Sequence, residues 1–138
     1  MLDGVVPFPA EFASRYREKG YWQDKSLAEE FAAAFRRFGG RLALIEDDRR
    51  YTYRDVDALS SNLALNLLEL GLRPIDRVVL TLPNTAEFVL LYVALQKIGA
   101  IPVAGVVAHR LREISQFVRL SGATTAASNS GAVRALME

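Results

Sequence analysis

The sequence predicts an α/β fold, a parallel sheet with helices on both faces. Three observations carry this. Segments with apolar residues at helical spacing alternate with short apolar runs through the middle of the chain. Most helical segments open on a polar cap and close on glycine. The run Val78-Val79-Leu80-Thr81-Leu82 is apolar almost without a break, as in a strand covered on both faces.

The elements follow in order. Pro9 suits the first turn of a helix and Gly20 its end, with Phe12 and Tyr16 on one face. Ser26-Leu27-Ala28-Glu29 has the form of a capping box, in which serine and glutamate each satisfy one backbone N–H. That helix runs to Phe38, with Leu27, Phe31, Ala34, Phe35 and Phe38 on one side, and Gly39-Gly40 stops it. Leu42-Ala43-Leu44-Ile45 reads as a short buried strand and Glu46 to Arg50 as a polar turn. Tyr51-Thr52 returns, giving a short hairpin near residues 42–52.

Thr52 with Asp55 predicts a second cap. The helix after it carries Val56, Leu59, Leu63, Leu67 and Leu70 as its apolar stripe, and Gly71 and Pro74 close it. Beyond the 78–82 strand, Asn84 with Glu87 predicts a third cap. The helix Thr85–Ile98 is apolar on most sides and ends at Gly99. Ile101–Val107 is the next strand. A helix with Ile114, Phe117, Val118 and Ser121 ends at Gly122. Thr124–Ala127 is a weaker strand, and Ala132–Met137 a last helical turn or two.

Composition narrows the function classes. A chain of 138 residues, 51% hydrophobic and 24% charged, is one domain's worth of globular protein, not a disordered segment. Its 17 basic and 16 acidic residues nearly cancel, so no domain-wide field favours nucleic acid or an anionic membrane. Lys19, Lys25 and Lys97 are the lysines; the other basic residues are arginines scattered along the chain, read as solvated helix faces. Cysteine is absent, which excludes a disulfide framework and a thiol nucleophile and is compatible with the cytoplasm. The first residues lack the basic start of a secretory signal. The apolar stretch Phe88–Gln96 is far short of the roughly 20 residues of a membrane span.

Chemistry-bearing motifs are scarce. There is no GxGxxG after a strand, no GxxxxGK[ST], no HExxH and no GxSxG. His109 is the only histidine, too few for a multi-histidine metal site. Ser121-Gly122-Ala123-Thr124-Thr125 imitates the start of a phosphate loop, but no lysine follows it. A helix C-cap running into a strand is the simpler reading. His109-Arg110 lies between a strand and a helix, where parallel sheets bind ligands; starting the helix accounts for both residues. Capping likewise accounts for Asn84, core packing for Tyr51 and Tyr53, and a hairpin turn for Asp47-Asp48. Composition and spacing therefore define no catalytic, cofactor-binding or metal residue.

Several stretches resemble a known family. Arg15-Tyr16-Arg17-Glu18-Lys19-Gly20-Tyr21-Trp22-Gln23-Asp24, within Phe8–Phe31, resembles the N-terminus of the aryl acid-activating enzymes of siderophore biosynthesis. These are the 2,3-dihydroxybenzoate–AMP and salicylate–AMP ligases. Tyr51-Thr52-Tyr53-Arg54-Asp55-Val56 resembles the L-T/S-Y-x-E-L motif of the wider adenylate-forming superfamily. Leu82-Pro83-Asn84 with Glu87 is similar to its L-x-N-x-x-E element, and Leu95–Val103 to its L-x-K-x-G-A-x-x-V element. Ala108-His109-Arg110 with Glu113-Ile114 resembles the H-R-x-x-E-I stretch of the aryl-acid subgroup. The resemblance fades after Ala127: Ala126-Ala127-Ser128-Asn129-Ser130 departs from the family, as does Gly105-Val106-Val107.

The resemblance implies an arm with a short helix over residues 1–25 and, over 26–138, a partial N-terminal α/β subdomain of an AMP-binding ligase. The implied chemistry uses ATP and magnesium, an aryl acid and an aryl carrier protein, in the cytoplasm. The family's phosphate loop, aryl pocket and catalytic lysine would all lie downstream, so no catalytic residue carries over. The expectation is an N-terminal fragment that is inactive alone, binds neither ATP nor magnesium well, leaves a sheet edge and apolar helix faces uncovered, and is marginally stable or self-associates. A downstream ligase portion is then a possible partner; no nucleic acid or membrane is expected. Three alternatives stay open: part of another adenylate-forming enzyme such as an acyl-CoA synthetase, a non-catalytic α/β interaction module, and a remnant without function.

Overall fold

A computed structural model describes residues 6–128. The elements run α1 (Ala10–Glu18), α2 (Leu27–Phe38), β1 (Leu42–Glu46), β2 (Arg49–Thr52), α3 (Tyr53–Glu69), β3 (Arg77–Thr81), α4 (Ala86–Lys97), β4 (Ile101–Ala104), α5 (Leu111–Ser121) and β5 (Thr125–Ser128). Two of the capping boxes form as the sequence dictates. Ser26 Oγ accepts from Glu29 N while Glu29 accepts from Ser26 N, and Thr52 and Asp55 do the same for α3. Gly122 ends α5 in the left-handed conformation, with φ of 67°.

Strands β4, β3 and β5 form a parallel sheet in that order. Val78 stands opposite Pro102 on one side and Thr125 on the other. The sheet is covered on both faces, as predicted, because β3 is apolar in both directions. Val78 and Leu80 pack against Ala64, Leu72, Ala94, Leu95 and Ile98 from α3, α4 and their flanks. Val79 packs against Ile114 and Ala123, with Phe117 and Val118 beside them. A third cluster of Phe35, Val56 and Val93, with Tyr51 and Tyr53 against it, ties α2 and the hairpin to α3 and α4.

The hairpin expected near residues 42–52 forms, but its first strand is not the buried one that the sequence predicts. β1 and β2 form their own two-stranded antiparallel sheet, apart from the parallel one. β1 is not buried: Leu42 and Ile45 are 48% and 54% exposed. The hairpin lays one face on the helices and turns the other to solvent, which an apolar run alone does not reveal. The polar turn shrinks to Asp47-Asp48, with Asp47 at φ of 50°, and Arg49 and Arg50 belong to β2.

The stripe on α3 also shifts. Val56 is buried and Leu63 and Leu67 pack against the core as expected, but Leu59 and Leu70 are 42% and 78% exposed. The buried line is Val56, Ser60 and Ala64, each four residues from the next. Small side chains on that line let α3 lie close against α4. Strand β4 stops at Ala104 rather than Val107, and the next residues form the loop to α5. The expected turn Ala132–Met137 lies outside the described residues. Among the described residues, no helix is long and apolar enough to cross a membrane.

One polar clamp joins α3 to α4. Lys97 Nζ donates to Asp57 O at 2.8 Å, Asp57 Oδ1 at 2.6 Å and Ser61 Oγ at 2.7 Å. Its ammonium also lies 5.2 Å from the Phe35 ring centre. Lys97→Met removes all three bonds and is expected to cost about 1–3 kcal/mol in chemical denaturation. An unchanged denaturation midpoint would show that the clamp contributes nothing.

Candidate functional site

Ligands of open parallel sheets bind beyond the carboxyl ends of the strands. Here that edge is built from the loop between β3 and α4, the loop between β4 and α5, and the end of β5. His109 and Asn84 lie at this edge, whereas Ser121–Thr125 lies at the opposite, amino edge, where β5 begins.

His109 braces the β4–α5 loop. Its ring Nδ1 accepts from Val106 N at 3.2 Å, and the His109 main-chain N–H donates to Val106 O at 3.0 Å. An accepting Nδ1 places the ring proton on Nε2. The ring meets Phe117 edge-on, 4.9 Å between centres. Among the described residues no serine or carboxylate is seated on the imidazole, and His109 holds a turn. Gly105 makes that turn possible. A Cβ there would lie 3.0 Å from Phe117 Cε2, 3.2 Å from His109 Nδ1 and 3.3 Å from Thr81 Cγ2. Below this packing, Thr81 is buried, and its Oγ1 has no hydrogen-bond partner among the described residues.

Asn84 does not cap α4. Thr85 occupies the N-cap without a side-chain hydrogen bond. The cap comes from the hairpin, 40 residues upstream, where Ala86 N donates to Glu46 Oε2 at 3.1 Å. Glu46 is also bound by Arg49, whose Nη1 donates to Glu87 Oε1 at 2.8 Å. The Arg49 hydrogen bond is the main cause that holds the exposed Glu87 carboxyl down to about 2. A distant carboxylate thus outcompetes the local asparagine. Asn84 instead lines an open cleft of about 520 Å³ with Ile45, Glu46, Asp47, Thr85 and Phe88.

Ser121–Thr125 is a helix end and not a phosphate loop. Ser121 Oγ donates to Phe117 O at 2.6 Å and accepts from Ala123 N at 3.2 Å. Tyr51 and Tyr53 pack against the Phe35 cluster. Sequence reading missed two features. One is the Glu46–Arg49–Glu87 network, which has no local signal. The other is the Lys97 clamp, signalled only by a lone lysine near the end of an apolar helix.

Phosphates favour free N–H groups at helix N-termini. At this edge one N–H at each helix start binds a carboxylate: Ala86 N donates to Glu46, and Arg110 N, at the cap of α5, donates to Glu113 at 2.9 Å. The Arg110 N–H holds the Glu113 carboxyl below the usual range. Among the described residues no three His, Cys, Asp or Glu side chains could hold a metal ion.

Crossovers on a parallel sheet, preceded by a hairpin and two helices, match the N-terminal subdomain of adenylation enzymes. The chain belongs to the AMP-binding enzyme family, whose description matches residues 31–135. It is 39% identical over 128 residues to the salicyl-AMP ligase / salicyl-S-ArCP synthetase of Mycobacterium tuberculosis, covering 89% of this chain and 23% of that one. It is 34% identical over 123 residues to the 2,3-dihydroxybenzoate-AMP ligase of Bacillus subtilis, with the same coverage. The apo structure of Mycobacterium smegmatis MbtA superposes with a TM-score of 0.90 at 39% identity, over 97% of this chain and 26% of that one. The chain therefore spans about a quarter of the length of the relatives it matches.

Two outcomes test this geometry. The folded-state value of Glu87 lies below its ordinary 4.5, so its contribution to stability is present above that pH and lost as pH falls toward about 2. Glu87→Gln should be less stable than wild type near neutrality, and the difference should close across that window in acid titrations followed by circular dichroism. A gap that persists below it would remove the ion pair as the cause. Gly105→Ala should cost about 1–3 kcal/mol through overpacking. The His109 ring resonances should shift with it, and a neutral effect on both would mean the loop has room to spare.

Proposed function

We propose that this chain is the N-terminal α/β portion of an ATP-dependent aryl acid–AMP ligase that activates salicylate or 2,3-dihydroxybenzoate in siderophore biosynthesis. The observation that carries the reading is the likeness to aryl acid–AMP ligases along nearly the whole chain. In the reaction, a carboxylate oxygen attacks the α-phosphorus of ATP and pyrophosphate leaves. The thiol of an aryl carrier protein then attacks the acyl carbon and AMP leaves. ATP with its magnesium supplies the activation.

The part played by this chain is scaffolding. Residues 1–25 form an arm with a short helix, and residues 26–138 belong to the α/β subdomain against which the catalytic parts of the ligase pack. The described helix N-termini at the sheet's carboxyl edge bind the chain's own carboxylates, which supports assigning the phosphate contacts to another part of the ligase. The setting is cytoplasmic, where ATP and carrier proteins meet.

Two measurements test this. ATP–pyrophosphate exchange by the purified chain, with salicylate and with 2,3-dihydroxybenzoate, should stay at background. A signal rising with chain concentration would overturn the scaffold role. In a hybrid, residues 6–128 replace the matching portion of the Mycobacterium tuberculosis ligase. It should exchange with salicylate, and a folded, inactive hybrid would count against the ligase assignment.

A further inference from the structure

The carboxylates around α2, the hairpin, α3 and α4 are almost all engaged. Glu29 accepts from Ser26, and Glu30 lies 3.6 Å from Lys25. Glu46 and Glu87 bind Arg49, Asp55 accepts from Thr52, and Asp57 binds Lys97. Asp47 and Asp48 sit at the turn of the hairpin, at the end away from α2 and α3. Arg37, Arg41 and Arg54 make no ion pair and no side-chain hydrogen bond among the described residues, and all three are exposed.

The fold brings these three together. The Arg37 and Arg41 guanidinium carbons lie 5.1 and 5.4 Å from the centre of the Phe38 ring. Phe38 in turn packs on Tyr53, 5.6 Å between centres. Main-chain bonds fix the junction: Arg41 N to Phe38 O at 2.7 Å, Tyr53 N to Arg41 O at 3.0 Å, and Arg54 N to Gly39 O at 3.0 Å. The Arg54 guanidinium reaches over Gly39, with Nη2 3.8 Å from where a Cβ would stand. The C-terminal dipole of α2 accounts for Arg37, within its last turn. It does not account for Arg41 and Arg54, which follow the helix.

We propose that Arg37, Arg41 and Arg54 form a docking surface for an acidic segment of a partner protein. Guanidiniums held over an aromatic ring are oriented forks that receive carboxylates bidentately. Arg37 and Arg41 are held in this way over Phe38, and with Arg54 beside Gly39 they match a short run of Asp or Glu side chains. Nucleic acid fits less well, since the patch is compact and the chain as a whole carries only +1. The surface stands on charge and geometry, independently of the ligase assignment.

Fluorescence anisotropy with a labelled oligoglutamate, titrated with the full chain, tests the proposal. Binding is expected at low salt and should weaken as salt is added. Arg37→Gln with Arg41→Gln should raise Kd about tenfold or more, and lysine at both positions should restore part of the loss. Arg110→Gln with Arg112→Gln, on α5 and its cap, should leave Kd unchanged. Circular dichroism confirms folding; if the double glutamine variant fails to fold, Arg54→Gln takes its place. No binding at low salt, equal loss in the α5 variant, or tighter binding of a single-stranded oligothymidylate would each overturn the proposal.

Discussion

Helix α4 is apolar on nearly every side, and from Ala86 to Ile98 only Glu87 is exposed. Such a helix is stable in water only when other elements cover it all round. The rest of the structure answers that need. Strand β3 lies on one side, α3 and α2 on others, and the hairpin closes over its first turn. Each of the two main clusters that involve α4 joins it to elements far apart in sequence.

Burial alone does not fix how the helix sits. Two polar devices set its ends. At the start, Glu46 accepts from Ala86 N, and Arg49 links that carboxylate to Glu87. At the finish, Lys97 is held by Asp57 and Ser61 of α3. Hydrogen bonds of this kind add modest net stability but penalise every arrangement that leaves a charge unpaired. They position α4 along its axis, where a uniform apolar surface would let it slide. Positioning α4 also positions the β3–α4 loop, and so the edge of the sheet.

At that edge the chain's own carboxylates take one N–H at the start of α4 and one at the cap of α5. On its flank Arg37 and Arg41 lie over Phe38, with Arg54 beside Gly39, and none of the three makes an ion pair among the described residues.

Much of this was legible in the sequence wherever the cause was local. The Ser26–Glu29 and Thr52–Asp55 boxes, the glycine stops and the doubly covered β3 depend on residues three or four apart, and each formed as the spacing dictates. The family was legible too, in motifs such as Arg15–Asp24 and Leu95–Val103, because they stand in one continuous stretch. What the sequence could not decide needed contacts across the chain. The hairpin's exposed face, the buried Val56–Ser60–Ala64 line and the replacement of Asn84 by Glu46 all depend on which surfaces meet. So does the gathering of Arg37, Arg41 and Arg54, which read singly as solvated charges. Periodicity says that a face is apolar or a residue charged; only packing decides which neighbour it finds, because partners 40 residues apart are chosen by the fold and not by the spacing.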